Sequence, residues 1–172
     1  VLALAHFYPQ VAVYDDSGWN IDFPSPNADV TYADTGFYLV QVTAPEEQVL
    51  MTTGYVIDSQ VDGGDQILTI AAGPVRDFYL ASSDRYTVIS DTVGETTINS
   101  YGFPEFAEQN ERVLEISVAA LESLGSRFGD YPFTEYDVGP TPNLALGVEY
   151  PGAVVIRSQI YDPDAMLGET PA

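Results

Sequence analysis

One carboxylate stands where its residue type and neighbours could do chemistry. Glu149 lies in Gly147-Val148-Glu149-Tyr150-Pro151-Gly152, directly before the apolar run Ala153 to Ile156. Pro151 has no N–H to give to a ladder, so the segment favours a sheet edge or a strand end. At such an edge a lone Glu presents its charge beside free backbone groups. An extended peptide could add to that edge by strand pairing while its amino terminus meets Glu149. An exposed Glu on an ordinary edge strand is the plainer alternative. The usual catalytic centres are excluded by counting. His6 is the only histidine, so neither a two-histidine zinc site nor a helix-borne HExxH exists. It sits beside Phe7 and Tyr8 and before Pro9, where a packed, hydrogen-bonded histidine at a strand–loop junction is expected in place of a catalytic base. There is no Gly-x-Ser-x-Gly elbow, no GxGxxG, and no lysine to reach a phosphate. The absence of cysteine removes thiol nucleophiles, thiolate zinc sites and redox motifs. No residue of the chain is therefore assigned a catalytic or metal-ligating role.

Two weaker constellations point to binding. Asp15, Asp16, Asp22, Asp29 and Asp34 share one loop-rich stretch and supply the oxygen ligands that calcium uses, although their spacing is not that of an EF-hand loop. Solvated aspartates capping turns explain the same residues. Trp19, between Gly18 and Asn20, is the one plausible platform for stacking a sugar ring, and a buried position is expected for it. The formal charge of −21, from 26 acidic residues against five arginines, repels nucleic-acid phosphates and anionic lipid. Neither nucleic acid nor membrane is expected as a partner, and no stretch has the apolar length of a membrane span. An acidic, lysine-free surface suits a secreted or cell-surface bacterial setting. It also simply keeps a protein soluble.

The elements that must position Glu149 are mostly strands. Up to about residue 35, aromatics alternate with Pro, Gly, Asn and Asp, as in ordered loops joining short extended pieces. Short β-rich runs follow at Phe37–Thr43, Val49–Ile57, Gln66–Ala72, Val75–Leu80, Tyr86–Ser90 and Thr96–Tyr101, and Asp62-Gly63-Gly64-Asp65 marks a hairpin. That spacing predicts an antiparallel sandwich or sheet. One helix follows Phe103-Pro104, with Val113, Ile116, Ala120, Leu121, Leu124 and Phe128 as an apolar stripe; Gly129 ends it and Pro132 prevents its resumption. Extended structure returns at Glu135–Val138, Leu144–Tyr150 and Ala153–Ser158, before the turn-rich, acidic Asp162 to Ala172. A boundary is expected near residue 103, dividing an all-β part (1–103) from a helix-containing part (104–172).

Four segments carry a resemblance to the M1 family of zinc aminopeptidases. Gly147 to Gly152 is similar to that family's GxMEN motif in its GGMEYPG form. Phe128-Gly129-Asp130-Tyr131-Pro132-Phe133 resembles its RFGPYPY segment. His6 to Asp16, with Gly18-Trp19-Asn20, looks like its WYPxLAVYDDxGWN stretch, and Val75-Arg76-Asp77-Phe78 is similar to its VRDFA strand. They occur in family order along nearly the whole chain. The resemblance implies a saddle-like β domain in residues 1–103. It implies the opening helix and strands of a thermolysin-like α+β domain in 104–172, truncated before the zinc site. Early β-domain strands would then precede Val1, and zinc ligands would follow Ala172. In the family a zinc-polarised peptide carbonyl is attacked by metal-activated water. The resemblance gives Glu149 the substrate's α-amine and has Gly147 and Val148 offer backbone to the peptide, with Tyr150 beside them. The chain alone would then be inactive and hold no cofactor, with zinc expected in a full-length parent whose partner is a peptide. Val148 replaces the usual Met, Tyr150 the Asn of the longer-known pattern, and Leu146 the first Gly, departures that bear on aminopeptidase specificity. The alternative is a non-catalytic β-sandwich module for calcium or glycan, or a scaffold. Loss of the first strands would expose a sheet edge and favour self-association.

Overall fold

The computed structural model describes residues 1–21 and 32–165. Within them the protein is mainly β with a single long helix. In chain order the strands are β1 (Leu2–Ala5), β2 (Tyr14–Asp15), β3 (Gly18–Trp19), β4 (Gly36–Pro45), β5 (Val49–Thr52), β6 (Tyr55–Asp62), β7 (Asp65–Val75), β8 (Tyr79–Ser83), β9 (Thr87–Val93) and β10 (Thr96–Gly102). The helix α1 (Ala107–Phe128) follows, then β11 (Glu135–Thr141), β12 (Gly147–Tyr150) and β13 (Ala153–Arg157). Of the acidic loop, Asp22 and Asp29 lie outside the described residues, as does the tail from residue 166.

The first lobe has two antiparallel three-stranded sheets, ordered β1-β8-β5 and β4-β7-β6, besides the small β2–β3 hairpin. Alternation along β4 turns Tyr38, Val40 and Val42 inward against a core of Leu68, Ile70, Ala72, Val75, Phe78 and Leu80. The run expected as one strand, Val49–Ile57, is two strands in different sheets, and the break is at Gly54. Its φ is +84°, and a Cβ there would lie 2.3 Å from the Ala71 carbonyl oxygen. Only glycine lets the chain turn from one sheet to the other at this close approach. The Asp62–Asp65 hairpin is closed by Gly63 and Gly64, both at positive φ, as the sequence predicts.

The second lobe is a five-stranded sheet ordered β12-β13-β11-β10-β9. Its outer pairs β9–β10 and β12–β13 are antiparallel, whereas β10–β11 and β11–β13 are parallel. Parallel neighbours need a long crossover, and α1 supplies the one between β10 and β11. The expected boundary near residue 103 therefore runs through a sheet: β10 before it is hydrogen-bonded to β11 after it. A second core of Met51, Tyr79, Ala81, Tyr86, Tyr101, Phe103 and Val155 joins this sheet to β5 and β8 of the first lobe.

The helix ends as expected, with Gly129 at φ +99° and its N–H donating to the Gly125 carbonyl. Its buried residues, however, are Asn110 and Ser117, two turns apart. Gly102 explains the rotation, since a Cβ there would stand 2.5 Å from Asn110 Cγ. The helix thus approaches β10 through small and polar groups, and Ser100 Oγ donates to Asn110 Oδ1 at 2.7 Å. Of the expected stripe, Val113, Ala120 and Leu121 are half-buried, while Ile116, Leu124 and Phe128 are exposed. Among the described residues no helix is long and apolar enough to cross a membrane.

Candidate functional site

The segment around Glu149 is the edge strand β12, as Pro151 and the lone carboxylate suggest. Tyr150 pairs with Ala153, so Pro151 and Gly152 form a two-residue turn. Proline fixes its own φ near about −65°, and Gly152 takes φ +76°. That order, Pro then left-handed Gly, is the signature of a type II turn. The Gly152 carbonyl accepts from Asp137 N–H at 2.8 Å, tying the turn to β11.

The pleat divides β12 between two environments. Val148 and Tyr150 face the core that holds Met51, Tyr79 and Val155. Gly147 and Glu149 are exposed on the opposite face. The register identifies that face. Glu149 lies opposite Val154, Val154 beside Val138, and Val138 beside Ser100, the residue that bonds the helix. Glu149 therefore stands on the helix side of the sheet, while α1 packs mainly over β9 and β10, toward the other end.

Backbone groups at this edge follow from one hydrogen bond. Arg157 N–H donates to the Leu146 carbonyl at 2.9 Å, which makes Leu146 and Arg157 a hydrogen-bonded pair. Antiparallel ladders alternate, so Val148 and Tyr150 spend their backbone groups on β13, while those of Gly147 and Glu149 point outward. The N–H and C=O groups open to an added strand are thus those of Gly147 and Glu149, in place of Val148. Among the described residues no strand pairs with this outer edge.

The inward side of β12 is aromatic. Tyr150 stacks on Tyr79 of β8 with centroids 4.4 Å apart and planes 18° from parallel. Burial, then the nearby Asp77 carboxylate, raises the Tyr150 pKa. The Tyr79 hydroxyl is buried without a well-formed hydrogen bond; burial pushes its pKa to about 12, and the Thr141 side chain beside it acts to lower it. His6 ends β1 in a left-handed conformation with φ 49°. Its ring lies 6.4 Å from that of Tyr150, and its Nδ1 is 3.6 Å from Asp77 Oδ1. It stands, as read from the sequence, at a strand–loop junction.

A second carboxylate, which sequence reasoning passed over, has the most perturbed environment. Asp137 of β11 is 3% exposed. Its Oδ1 accepts from Asn99 Nδ2 at 2.9 Å, and its Oδ2 lies 3.1 Å from the Tyr101 hydroxyl. That hydroxyl also lies 3.1 Å from the Leu50 carbonyl of β5. Burial raises the Asp137 pKa to about 7, and the Glu135 charge adds to this against the lowering effect of Asn99, Tyr101 and the Thr52 N–H. Tyr101 has one proton for two acceptors, so a protonated Asp137 can donate to Tyr101 while Tyr101 donates to Leu50. Perturbed carboxylates mark functional sites only as candidates. This one faces the core between lobes and serves the joint.

The other sites raised by sequence are differently placed. Asp15 accepts from Ser17 N–H at 2.8 Å, which makes it a turn-capping aspartate. Among the described residues no group of three His, Cys, Asp or Glu is arranged to hold a metal ion. Trp19, expected to be buried, is 60% exposed. It packs edge-on against Tyr14 across the hairpin, 5.0 Å between centroids. A cavity of about 640 Å³ between the β9–β10 turn and the C-terminal end of α1 includes no residue of β12 in its lining.

Fold and site together define a mainly β protein in which an edge strand presents one exposed carboxylate beside outward backbone groups. No protein-family model matches the chain, and comparison with curated proteins finds no match.

Proposed function

We propose that this chain is the scaffold and amine-anchoring portion of a zinc-dependent M1-type peptidase that removes residues from peptide N-termini. The observation that carries the reading is the geometry of β12. Glu149 is exposed on an edge strand, and the N–H and C=O groups beside it point outward, where an extended peptide pairs. In this reading the peptide lies along β12, antiparallel pairing with Gly147 and Glu149 fixes its backbone, and the Glu149 carboxylate receives its α-ammonium. A charge-assisted contact of this kind selects for a free amino terminus. The described residues do not fit a zinc site, so no chemical step is derived through zinc for them; the metal would be held by residues outside these 172.

The parent reading frame tests this. An HExxH sequence within a few tens of residues after Ala172, with about one zinc bound per full-length molecule, is the expected result. A full-length protein without that motif and without bound zinc would leave a scaffold or binding role.

A second reading rests on Trp19 and Tyr14, both exposed on one hairpin. Exposed aromatic faces stack on sugar rings, and Asp15, Asp16 and Asn20 supply polar neighbours. Quenching of Trp19 fluorescence by an oligosaccharide panel, with the calorimetric binding signal lost in Trp19→Ala, would favour a glycan-binding module; unchanged fluorescence throughout removes it.

A further inference from the structure

We infer that the stack of Tyr150 on Tyr79 is a positioning device that sets the Glu149 carboxylate by clamping β12 to the first lobe. The inference rests on the amine-anchor reading of Glu149. β12 is four residues long and hydrogen-bonded on one side only. A short edge strand of this kind belongs to the parts of a fold that open locally at low cost. Its ladder to β13 fixes where the backbone runs but leaves the strand free to peel from the sheet. What opposes peeling lies on the inward face. Val148 reaches the shared core, and Tyr150 lays its ring on Tyr79, a residue only 3% exposed. Tyr79 belongs to β8, the central strand of its sheet, flanked by β1 and β5. Glu149 is the residue between these two anchors and points the other way, so a tilt of the Tyr150 ring moves its carboxylate in the opposite sense.

The arrangement makes the two lobes jointly responsible for one carboxylate. The first lobe packs on the inward face of the strand that presents it. Tyr150 is thus a positioning residue, acting through packing with its hydroxyl unused in the stack. Aromatic pairing contributes modestly but measurably beyond the area it buries.

Amide hydrogen exchange on the 172-residue chain tests the clamp directly. In Tyr150→Ala, exchange at the Val148 amide, which faces β13, is expected to accelerate about tenfold, with the β4–β7 amides unchanged. Tyr150→Phe keeps the ring and is expected to exchange as the wild type does. In the full-length enzyme, Tyr150→Ala is expected to raise KM for aminoacyl substrates about tenfold with kcat nearly unchanged, and Tyr150→Phe to restore it. Unaltered exchange in Tyr150→Ala overturns the inference, as does a Tyr150→Phe variant as defective as Tyr150→Ala. Glu149→Gln separates the two claims. If it leaves KM unchanged, the amine-anchor reading fails and takes the purpose of the clamp with it. If it raises KM while Tyr150→Ala does not, the clamp alone is wrong.

Discussion

Replacing Asp137 by Asn isolates the effect of one buried proton on the joint between the lobes. The carboxyl is buried, and its pKa is raised from an ordinary 3.8 to about 7. Between these values the folded protein keeps a proton that the unfolded chain has released. Stability from this group is therefore complete at acid pH and is lost as pH rises through about 7. At about 1.4 kcal/mol per pH unit, the full window is worth roughly 4 kcal/mol, an upper bound where water can relax the site. Because the sequence pI is about 4.1, solubility restricts work to higher pH. From about pH 5.5 to about pH 8.5 the same relation leaves about 2 kcal/mol. Asn cannot ionise, and its amide can donate to Tyr101 as the protonated acid does while still accepting from Asn99. Asp137→Asn should therefore gain about 2 kcal/mol on the wild type across this range, whatever its offset at the acid end. Urea unfolding of both proteins at several pH values, with unchanged m, measures the difference. Parallel pH profiles for the two proteins would refute the reasoning, as would a gap that widens toward acid.

Three further outcomes are expected. Gly54→Ala is destabilised by more than the ordinary glycine effect, on the order of 3 kcal/mol, because a positive φ and the Ala71 carbonyl both oppose the added methyl; urea midpoints check this. Gly102→Ala costs about 1–3 kcal/mol by pushing Asn110 away, and the loss is expected at the helix, so exchange in α1 rises before exchange in β4 and β7. The outer edge of β6 carries Tyr55, Val56, Ile57 and Val61 in exposed positions, and this edge favours self-association. Sedimentation velocity is expected to reveal a dimer that grows with salt as the −21 charge is screened, and a clean monomer at high concentration and high salt counts against it.

Much of the fold was legible because local signals agreed with the tertiary outcome. The Gly63–Gly64 hairpin and the Gly129 cap need only the backbone conformation that glycine supplies, and both stand where expected. What was not legible depends on partners far away in sequence. Nothing in Val49–Ile57 announces that Gly54 must pass the Ala71 carbonyl, so one strand was expected where there are two. The parallel pairs of β10, β11 and β13 were hidden for the same reason, since short strands carry no mark of their neighbours. The helix stripe was half right: Val113, Ala120 and Leu121 are half-buried, but close approach at Gly102 turns Asn110 and Ser117 inward and leaves Ile116, Leu124 and Phe128 exposed. The edge position of the strand that carries Glu149 was visible from Pro151. The Tyr150–Tyr79 stack and the Asp137–Tyr101–Leu50 chain were not, because each joins residues from separate strands that only the packed lobes bring together.

The central claim is that Glu149 anchors a free α-amine on an open edge strand. It is tested most directly by comparing full-length wild type with Glu149→Gln on an aminoacyl substrate and its N-acetylated form. The account predicts hydrolysis of the free-amine substrate only, with Glu149→Gln lowering kcat/KM roughly ten- to hundredfold, as loss of a charge-assisted contact requires. Equal activity of the two proteins, or equal hydrolysis of the acetylated substrate, would contradict it.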